Sequence, residues 1–291
     1  MNCIEQVVTD TYTAVHGDCV ESLKGLPDHC IGYSIFSPPF ASLYTYSNSP
    51  RDMGNVRDDE EFFGHLDFLI AELRRVMRPG RNVSFHCMDM PSSKERDGVI
   101  GLKDFPGELI RAFQKHGFIY HSKATIWKDP VTAMQRTKAL GLLHKSVRGN
   151  AAMCRMGIPD YLITMRAPGE CERVIHGEEY PVDLWQKVAS PVWMDINPSD
   201  TLQFRSAREH DDERHICPLQ LEVIRRGIML WTNPGDIVLS PFMGIGSEGY
   251  VALEMGRKFV GVELKKSYYD QAVANLNAAT VKTQDLFASI A

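Results

Sequence analysis

Short apolar runs alternate along the chain with stretches in which apolar residues recur every three or four positions, a pattern typical of α/β proteins. In the first part of the sequence this pattern predicts strands over Thr11–His16, Ile31–Phe36, Asn82–Cys87 and Phe118–Trp127. It predicts helices over Val20–Leu26, Asp58–Met77 and Pro106–Lys115, the second ended by Pro79-Gly80 and the third by Gly117.

The alternation stops in a long region, Lys128 to His215, where Pro, Gly, Arg and polar residues break the periodicity. Beyond it, helices are predicted over Cys217–Trp231, Ser247–Met255 and Tyr268–Ala278, with Pro218 in the first turn, and strands over Asp236–Leu239 and Lys258–Glu263. We therefore expect an α/β sheet with helices on both faces, built from residues 1–127 and 215–291, with an irregular insertion over 128–214.

The composition narrows the class of protein. The 291 residues are 44% hydrophobic and 24% charged, which excludes a disordered or fibrous chain. The seven cysteines are scattered and never spaced as CxxC, so we expect reduced thiols, no disulfide framework and no metal site. Because we find neither a basic and apolar leader nor an apolar run of about 18 residues, we expect a cytoplasmic protein with no membrane segment.

A glycine-rich turn follows one predicted strand and opens a predicted helix. Gly244-Ile245-Gly246-Ser247-Glu248-Gly249 fits GxGxxG, and the next strand ends in Glu263, nineteen positions beyond Gly244. Glycines let the backbone approach a ligand closely, and an acid at the end of the second strand can hold two ribose hydroxyls. The pattern predicts a Rossmann-type cofactor site, for a dinucleotide or for S-adenosylmethionine. Pro241-Phe242 before the glycines is unusual for a nicotinamide site.

A second motif, Ser37-Pro38-Pro39-Phe40, ends a predicted strand, where ligands bind in open α/β sheets. It resembles the [DNS]PP[YFW] catalytic motif of DNA methyltransferases that modify exocyclic amino groups, and Pro241–Gly246 resembles their cofactor turn. Gly17-Asp18-Cys19, His215–Gln220 and Gly261–Leu264 are similar to further motifs of that family. The order, with the catalytic motif first and the cofactor motif last, is similar to that of the family's beta group.

The resemblance implies a Rossmann-like methyltransferase sheet and S-adenosylmethionine as the methyl donor. The implied catalytic residues are Ser37, Pro38, Pro39 and Phe40. The implied cofactor-binding residues are Asp18, Cys19, His215, Pro218, Ser240, Pro241, Phe242, Gly244, Gly246, Ser247 and Glu263.

The chemistry of a base amino group fits the Ser-Pro-Pro-Phe motif. The lone pair of this nitrogen is delocalised into the ring, so the site must accept its hydrogens. Ser37 Oγ and the Pro38 carbonyl are suitable acceptors, held rigidly by two prolines. Phe40 offers a ring for stacking on a base extruded from the duplex. Cys217-Pro218 reverses the Pro-Cys order used for carbon-5 methylation, which argues against that reaction.

The target base is a separate question. Within the family, Ser at the first motif position leans towards cytosine N4 and Asp towards adenine N6. Both bases present an amino group beside a ring nitrogen, and adenine N6 is the commoner product of such enzymes. We predict adenine N6, with cytosine N4 as the alternative product of the same site.

Charge along the chain indicates where DNA would bind. The net charge of -5 argues, taken alone, against a partner with a phosphate backbone. From His121 to Arg155, however, seven basic residues accompany one acid, a net charge of +6 that leaves -11 for the rest. We therefore expect 128–214 to be the target-recognition region of a duplex-DNA enzyme. The predicted DNA-binding residues are Tyr44, in the loop after the catalytic motif, and Arg136, Lys138, Lys145 and Arg148.

Other functions stay open at this point. A related enzyme could methylate RNA or a protein glutamine, whose amide has the same amino-carbonyl geometry. A nicotinamide oxidoreductase could use the glycine turn. A DNA-binding regulator without catalytic activity could have the same fold. Because similar enzymes often pair, the resemblance also allows a homodimer.

Overall fold

The computed structural model describes residues 3–39, 59–92, 94–131, 144–150, 152, 154–175, 181–203 and 218–288. The strands in these ranges are β1 Glu5–Val8, β2 Tyr12–His16, β3 Ile31–Phe36, β4 Met77–Met88, β5 Met90–Ser92, β6 Gly101–Lys103, β7 Ile119–Ile126, β8 Asp160–Arg166, β9 Val192–Trp193, β10 Ile237–Ser240 and β11 Lys258–Glu263. The helices are α1 Cys19–Leu23, α2 Asp59–Val76, α3 Lys94–Asp97, α4 Phe105–Lys115, α5 His144–Asn150, α6 Val182–Val188, α7 Leu221–Trp231, α8 Ser247–Glu254 and α9 Lys266–Ala288.

Nine of these strands form one sheet in the order β1-β2-β11-β10-β3-β4-β8-β7-β9, and β5 pairs separately with β6. β2, β11, β10, β3 and β4 are parallel, whereas β8 runs antiparallel between β4 and β7. Strands from the beginning and the end of the sequence are neighbours, because β2 pairs with β11 and β3 pairs with β10.

Side chains of the sheet alternate between two hydrophobic cores, one on each face. Phe36 of β3 packs in the core that contains apolar residues of α1, α2 and α4. Its neighbour Ile35 packs in the core that contains apolar residues of α7, α8 and α9, and we call that side of the sheet the α8 face. All six residues of β3 are buried, as expected for a central parallel strand covered on both faces. The predicted fold class is thus confirmed.

The region from Lys128 to His215 was expected to be irregular, but it contains the helices α5 and α6 and the strands β8 and β9. Residues 160–166 form β8, which lies inside the main sheet and pairs with β4 along seven residues. The strand follows Gly157 and Pro159 and is only seven residues long, so no periodicity distinguished it from a loop. Part of the segment between the two halves therefore belongs to the sheet.

Two predicted boundaries are also corrected. Pro79-Gly80 does not separate α2 from a later strand, because β4 begins directly at Met77 and its pairing with β3 shifts register across these residues. Gly80 has a φ of +70°, and a Cβ there would lie 2.7 Å from the backbone nitrogen of Cys171. Pro218 lies before α7 rather than in its first turn, since the N-cap of that helix is Gln220.

None of the described helices is long and apolar enough to cross a membrane. The cysteines among the described residues, which exclude Cys217, are all free.

A buried ion pair joins three central strands at their amino ends. Arg81 of β4 and Asp236, which precedes β10, are each 1% exposed and lie in direct contact. Arg81 Nε also donates to the Gly32 carbonyl of β3 over 2.8 Å, and Asp236 Oδ2 accepts from the Asn233 amide over 2.8 Å. These bonds compensate two charges that would otherwise be costly to remove from water.

We expect Arg81→Ala to destabilise the protein by about 3–5 kcal/mol, because it leaves Asp236 buried without its main partner. Urea unfolding measures this change. Arg111→Ala is the matched control, since Arg111 and Asp104 form an exposed pair 3.7 Å apart, and its loss should cost at most about 1 kcal/mol. Equal effects of the two substitutions would show that the buried pair does not hold the strands.

Candidate functional site

The carboxyl ends of the parallel strands meet at one edge of the sheet, which we call the site edge. Asp18 follows β2, Glu263 ends β11, Ser240 ends β10 and Ser37 follows β3. Two contacts tie neighbouring ends together: the Gly17 amide donates to the Glu263 carbonyl over 3.0 Å, and the Phe36 and Phe242 rings lie 5.7 Å apart. The topology therefore brings together the motifs from both ends of the sequence.

The glycine turn connects β10 to α8. Gly244 and Gly246 have φ values of +53° and +86°, which side-chain-bearing residues rarely adopt, and Gly246 is the N-cap of α8. A Cβ at Gly246 would lie 3.2 Å from the Ala272 Cβ of α9, so the glycine also permits close packing. The turn leaves the amino end of α8 at the site edge.

Glu263 is bonded to the turn itself. Its Oε2 accepts from the Gly244 amide and its Oε1 from the Lys265 amide, each over 2.8 Å. A carboxylate offers about four lone-pair sites, so these two bonds do not use its whole acceptor capacity. Glu263 thus positions the glycine turn as well as providing acceptors at the site edge.

Asp18 and Cys19 lie where β2 passes into α1. Asp18 is the N-cap of that helix, and its Oδ1 accepts from the Glu21 amide over 2.9 Å. Cys19 is buried, and burial raises the pKa of its thiol well above the usual range. Asp18 is partly exposed, so it can contact a ligand, while the neutral Cys19 thiol packs against the core.

A row of polar side chains continues from Ser37 across the next strands. Ser37 Oγ lies 3.2 Å from His86 Nδ1, within hydrogen-bonding distance. His86 Nε2 lies 3.0 Å from Asp160 Oδ2, and Lys128 Nζ lies 2.5 Å from Asp160 Oδ1. We call these residues the Ser37–His86–Asp160 array.

Strand register explains the array. Phe36 pairs with Phe85, so Ser37 and His86 are level with each other on β3 and β4. His86 pairs with Leu162, which packs in the core of the α8 face, and Asp160 is two residues from Leu162. Because strand side chains alternate, His86 and Asp160 share that face.

Asp160 is 2% exposed and ionised at neutral pH. Its burial alone would raise the pKa of the carboxyl, but the neighbouring His86 and Lys128 outweigh this effect and hold the pKa below its ordinary value. The array therefore presents a fixed negative charge behind His86.

The sequence matches a family model described as DNA methylase, of the N6 and N4 type, over residues 33–274. The chain belongs to this DNA methylase family. The match confirms the resemblance inferred from the motifs, and with it the prediction of an adenine-N6 or cytosine-N4 DNA methyltransferase.

Relatives agree with the DNA methylase assignment. The chain is 24% identical over 262 residues to the type II methyltransferase M.BglII of Bacillus subtilis, covering 88% of this chain and 66% of that protein. It is 24% identical over 274 residues to the DNA adenine methyltransferase YhdJ of Escherichia coli K12, covering 92% of this chain and 83% of the relative.

Solved structures show the same fold. A DNA modification methylase of Thermus thermophilus, TTHA0409, in complex with S-adenosyl-L-methionine has a TM-score of 0.66 and 21% identity, over 91% of this chain and 94% of its own. The PvuII DNA methyltransferase, described as cytosine-N4-specific, has a TM-score of 0.68 and 16% identity, over 99% of this chain and 96% of its own.

The DNA methylase fold brings together most of the residues expected at the site. Those found at the site edge are Ser37, Pro38, Pro39, Asp18, Cys19, Ser240, Pro241, Phe242, Gly244, Gly246, Ser247 and Glu263. Phe40, Tyr44, Arg136, Lys138 and His215 lie outside the described residues, as does the side chain of Lys145. Pro218 precedes α7, and Arg148 is exposed on α5. Among the described residues, no group of three or more His, Cys, Asp or Glu is placed to hold a metal ion.

Sequence reasoning missed His86, Asp160 and the role of Lys128 in this methylase. A polar residue within the predicted strand Asn82–Cys87 was a usable signal for His86. Asp160 gave no such signal, because β8 was not predicted. Lys128 was counted in the basic tract, but its charge is paired with Asp160 inside the protein.

Glu248, in the first turn of α8, is a buried carboxyl with an unusual pKa. Burial raises its pKa to about 8, and the charge of Glu263 adds to the effect. It therefore folds with its proton bound at neutral pH, whereas the unfolded chain would release that proton. The contribution to stability is present below the ordinary carboxyl pKa and is lost as the pH rises towards about 8.

We expect Glu248→Gln to remove this dependence, since the amide is neutral at every pH. Relative to the unchanged protein, the melting temperature of the variant should rise by several degrees on going from about pH 5 to about pH 8.5. Glu60→Gln, at an exposed position of α2, is the control and should show no such trend. A constant difference across the pH range would refute a protonated Glu248.

Proposed function

We propose that this protein is a site-specific DNA methyltransferase that transfers the methyl group of S-adenosylmethionine to the exocyclic amino group of a flipped base in duplex DNA, with adenine N6 as the target. One observation carries the proposal: the Ser37 turn and the glycine turn lie side by side at the site edge, with Phe36 and Phe242 in contact. Donor and acceptor of a methyl group need this adjacency, because in-line transfer depends on alignment.

The glycine turn and the ends of β2 and β11 would hold the cofactor. Glu263 offers acceptors suited to ribose hydroxyls, and Asp18 lies beside it. Ser240 Oγ is buried and has no hydrogen-bond partner among the described residues, which suits a polar ligand at this place. When bound, the sulfonium would supply an electrophilic methyl group.

The Ser37 turn would hold the amino group. Ser37 is partly exposed while Pro38 and Pro39 are buried, so the turn is fixed and the serine hydroxyl is accessible. Ser37 Oγ and the Pro38 carbonyl would each accept one amino hydrogen, which localises the nitrogen lone pair towards the methyl group. Phe40 would stack on the base, which must leave the duplex because its amino group is otherwise buried in base pairing.

Cytosine N4 is the second candidate target, and Ser37 is the observation that favours it, through the family's preference for serine in enzymes of that type. The relative named as an adenine methyltransferase favours adenine N6, and the structural neighbour named as cytosine-N4-specific shows the fold alone. A hydroxyl accepts hydrogens from either amino group equally well, so the product must be measured.

The basic tract would bind the phosphate backbone. Lys128 is committed to Asp160, and the Lys123 Nζ lies 4.8 Å from the centre of the Tyr161 ring. Arg148 is exposed on α5, and with Arg136, Lys138 and Lys145 it would supply the contacts that neutralise phosphates. RNA and protein glutamine would be competing substrates in a binding test, and the long basic segment favours duplex DNA.

The target base is identified by digesting DNA from cells that express the protein and weighing its nucleosides. We expect N6-methyladenine, absent from cells that express Ser37→Ala. N4-methylcytosine alone would replace the base assignment, and neither product in the presence of soluble protein would overturn the proposed function.

Substitutions in the Ser37 motif and substitutions of Glu263 should have different effects on cofactor binding and on methyl transfer. Ser37→Ala and Phe40→Ala should lose methyl transfer while calorimetry shows unchanged affinity for S-adenosylmethionine. Glu263→Ala should weaken that affinity at least about tenfold, or about 1.4 kcal/mol, because it removes ligand acceptors and releases the glycine turn. Glu263→Gln keeps one acceptor oxygen, so its affinity for S-adenosylmethionine should lie between those of the unchanged protein and Glu263→Ala. Full activity of both motif variants would refute the proposed site.

A further inference from the structure

We propose that His86 takes up the proton that the amino group loses during methylation, receiving it through Ser37 Oγ, and that Asp160 positions His86 for this role. This inference rests on the proposed function and adds to it the route of the proton. His86 acts through Ser37 and need not touch the base.

Strand geometry supports the first contact of the route. Ser37 Oγ lies 3.2 Å from His86 Nδ1, and the two residues are level on adjacent, register-paired strands. Ser37 is partly exposed at the site edge, whereas the His86 side chain is 12% exposed. The hydroxyl can therefore face both a base and the imidazole, with one lone pair for the first and its proton for the second.

One carboxylate and one ammonium group lie behind His86, on the side of the ring away from Ser37. Asp160 faces it from β8, with Oδ2 3.0 Å from Nε2, a contact that brings the two groups together but is not aligned as a hydrogen bond. In the neutral ring, the nearby carboxylate favours the tautomer that has its hydrogen on Nε2. Nδ1 then carries the free lone pair directed at Ser37. Lys128, from the segment after β7, lies 2.5 Å from Oδ1 of Asp160 and shares its charge.

Methyl transfer and loss of the amino proton are coupled in this route. The amino nitrogen forms a bond to the methyl carbon while the bond from that carbon to sulfur breaks, and its electron pair stays on sulfur. Positive charge develops on nitrogen, one of whose hydrogens passes as a proton to Ser37 Oγ while the Ser37 proton passes to His86 Nδ1. The imidazolium then lies beside Asp160 and later returns the proton to water. An acceptor in place during bond formation lowers the barrier.

A structural role for His86 would leave a different kinetic signature. If His86 only joined β4 to β8, its replacement would lower stability or cofactor affinity without changing how the rate depends on pH. If it accepts the proton, the rate must fall as His86 becomes protonated, because the charged ring has no lone pair for Ser37.

The test is the single-turnover rate of methyl transfer from S-adenosylmethionine to duplex DNA, measured from about pH 5 to about pH 9. For the unchanged protein we expect a rate that rises through one ionisation and then levels. His86→Gln should be slower by about a hundredfold or more on the plateau and should lose that ionisation. Asp160→Asn should move the rise to lower pH, since the imidazolium loses its negative neighbour.

His116→Gln is the matched control. His116 Nε2 lies 2.9 Å from Asp67 Oδ1, so it also belongs to a histidine–aspartate pair, but one between α4 and α2. Its profile should equal that of the unchanged protein. Melting curves and cofactor affinity are measured for every variant, so that rates are compared only between folded proteins.

Each outcome decides one question. A pH profile that survives in His86→Gln, or a pH-independent rate in the unchanged protein, would overturn the proton route while the proposed function stands. An unshifted profile in Asp160→Asn would refute the part assigned to Asp160. An unchanged protein that methylates no nucleic acid would instead refute the proposed function.

Discussion

The register of β3 against β10 and β4 fixes where Ser37 lies relative to the glycine turn and to His86. All six residues of β3 are buried, and a slip of one residue would turn Ser37 from the α8 face to the other side of the sheet. Two buried polar contacts oppose such a slip. Ser34 Oγ donates to the Leu239 carbonyl of β10 over 3.0 Å, and Arg81 of β4 donates to the Gly32 carbonyl while contacting Asp236. The ion pair at the amino ends of these strands thus helps to hold the register on which the site at their carboxyl ends depends.

The place of β3 between β10 and β4 also explains why distant parts of the sequence form one site. β10 delivers the glycine turn on one side of Ser37, and β4 delivers His86 on the other. In the proposed reaction the methyl donor, the amino group and the proton acceptor must lie along one path. The sheet places their protein partners in that order across adjacent strands, so no loop has to bring them together.

Much of the fold followed from local sequence, and the exceptions have a physical cause. β3 and β11 were predicted at their observed bounds, because continuous apolar runs are typical of buried parallel strands. β8 was missed, since its stability comes from pairing with β4 and β7, which no local pattern records. Gly244 and Glu263 were found from their spacing within one strand–helix–strand unit. The Ser37–His86–Asp160 array instead depends on three strands that are far apart in the sequence.

The array also bears on why a serine can stand at the first position of the catalytic motif. A carboxylate there would accept an amino hydrogen and stabilise the developing positive charge by itself. A serine hydroxyl carries no charge and is a poor base, so alone it could accept the hydrogen bond but not keep the proton. His86 lies one hydrogen bond away from Ser37 and next to the buried charge of Asp160, and it supplies the base that the serine lacks. On this view the negative charge of the site lies on β8, two strands away from Ser37, where Lys128 balances it and DNA phosphates are not repelled.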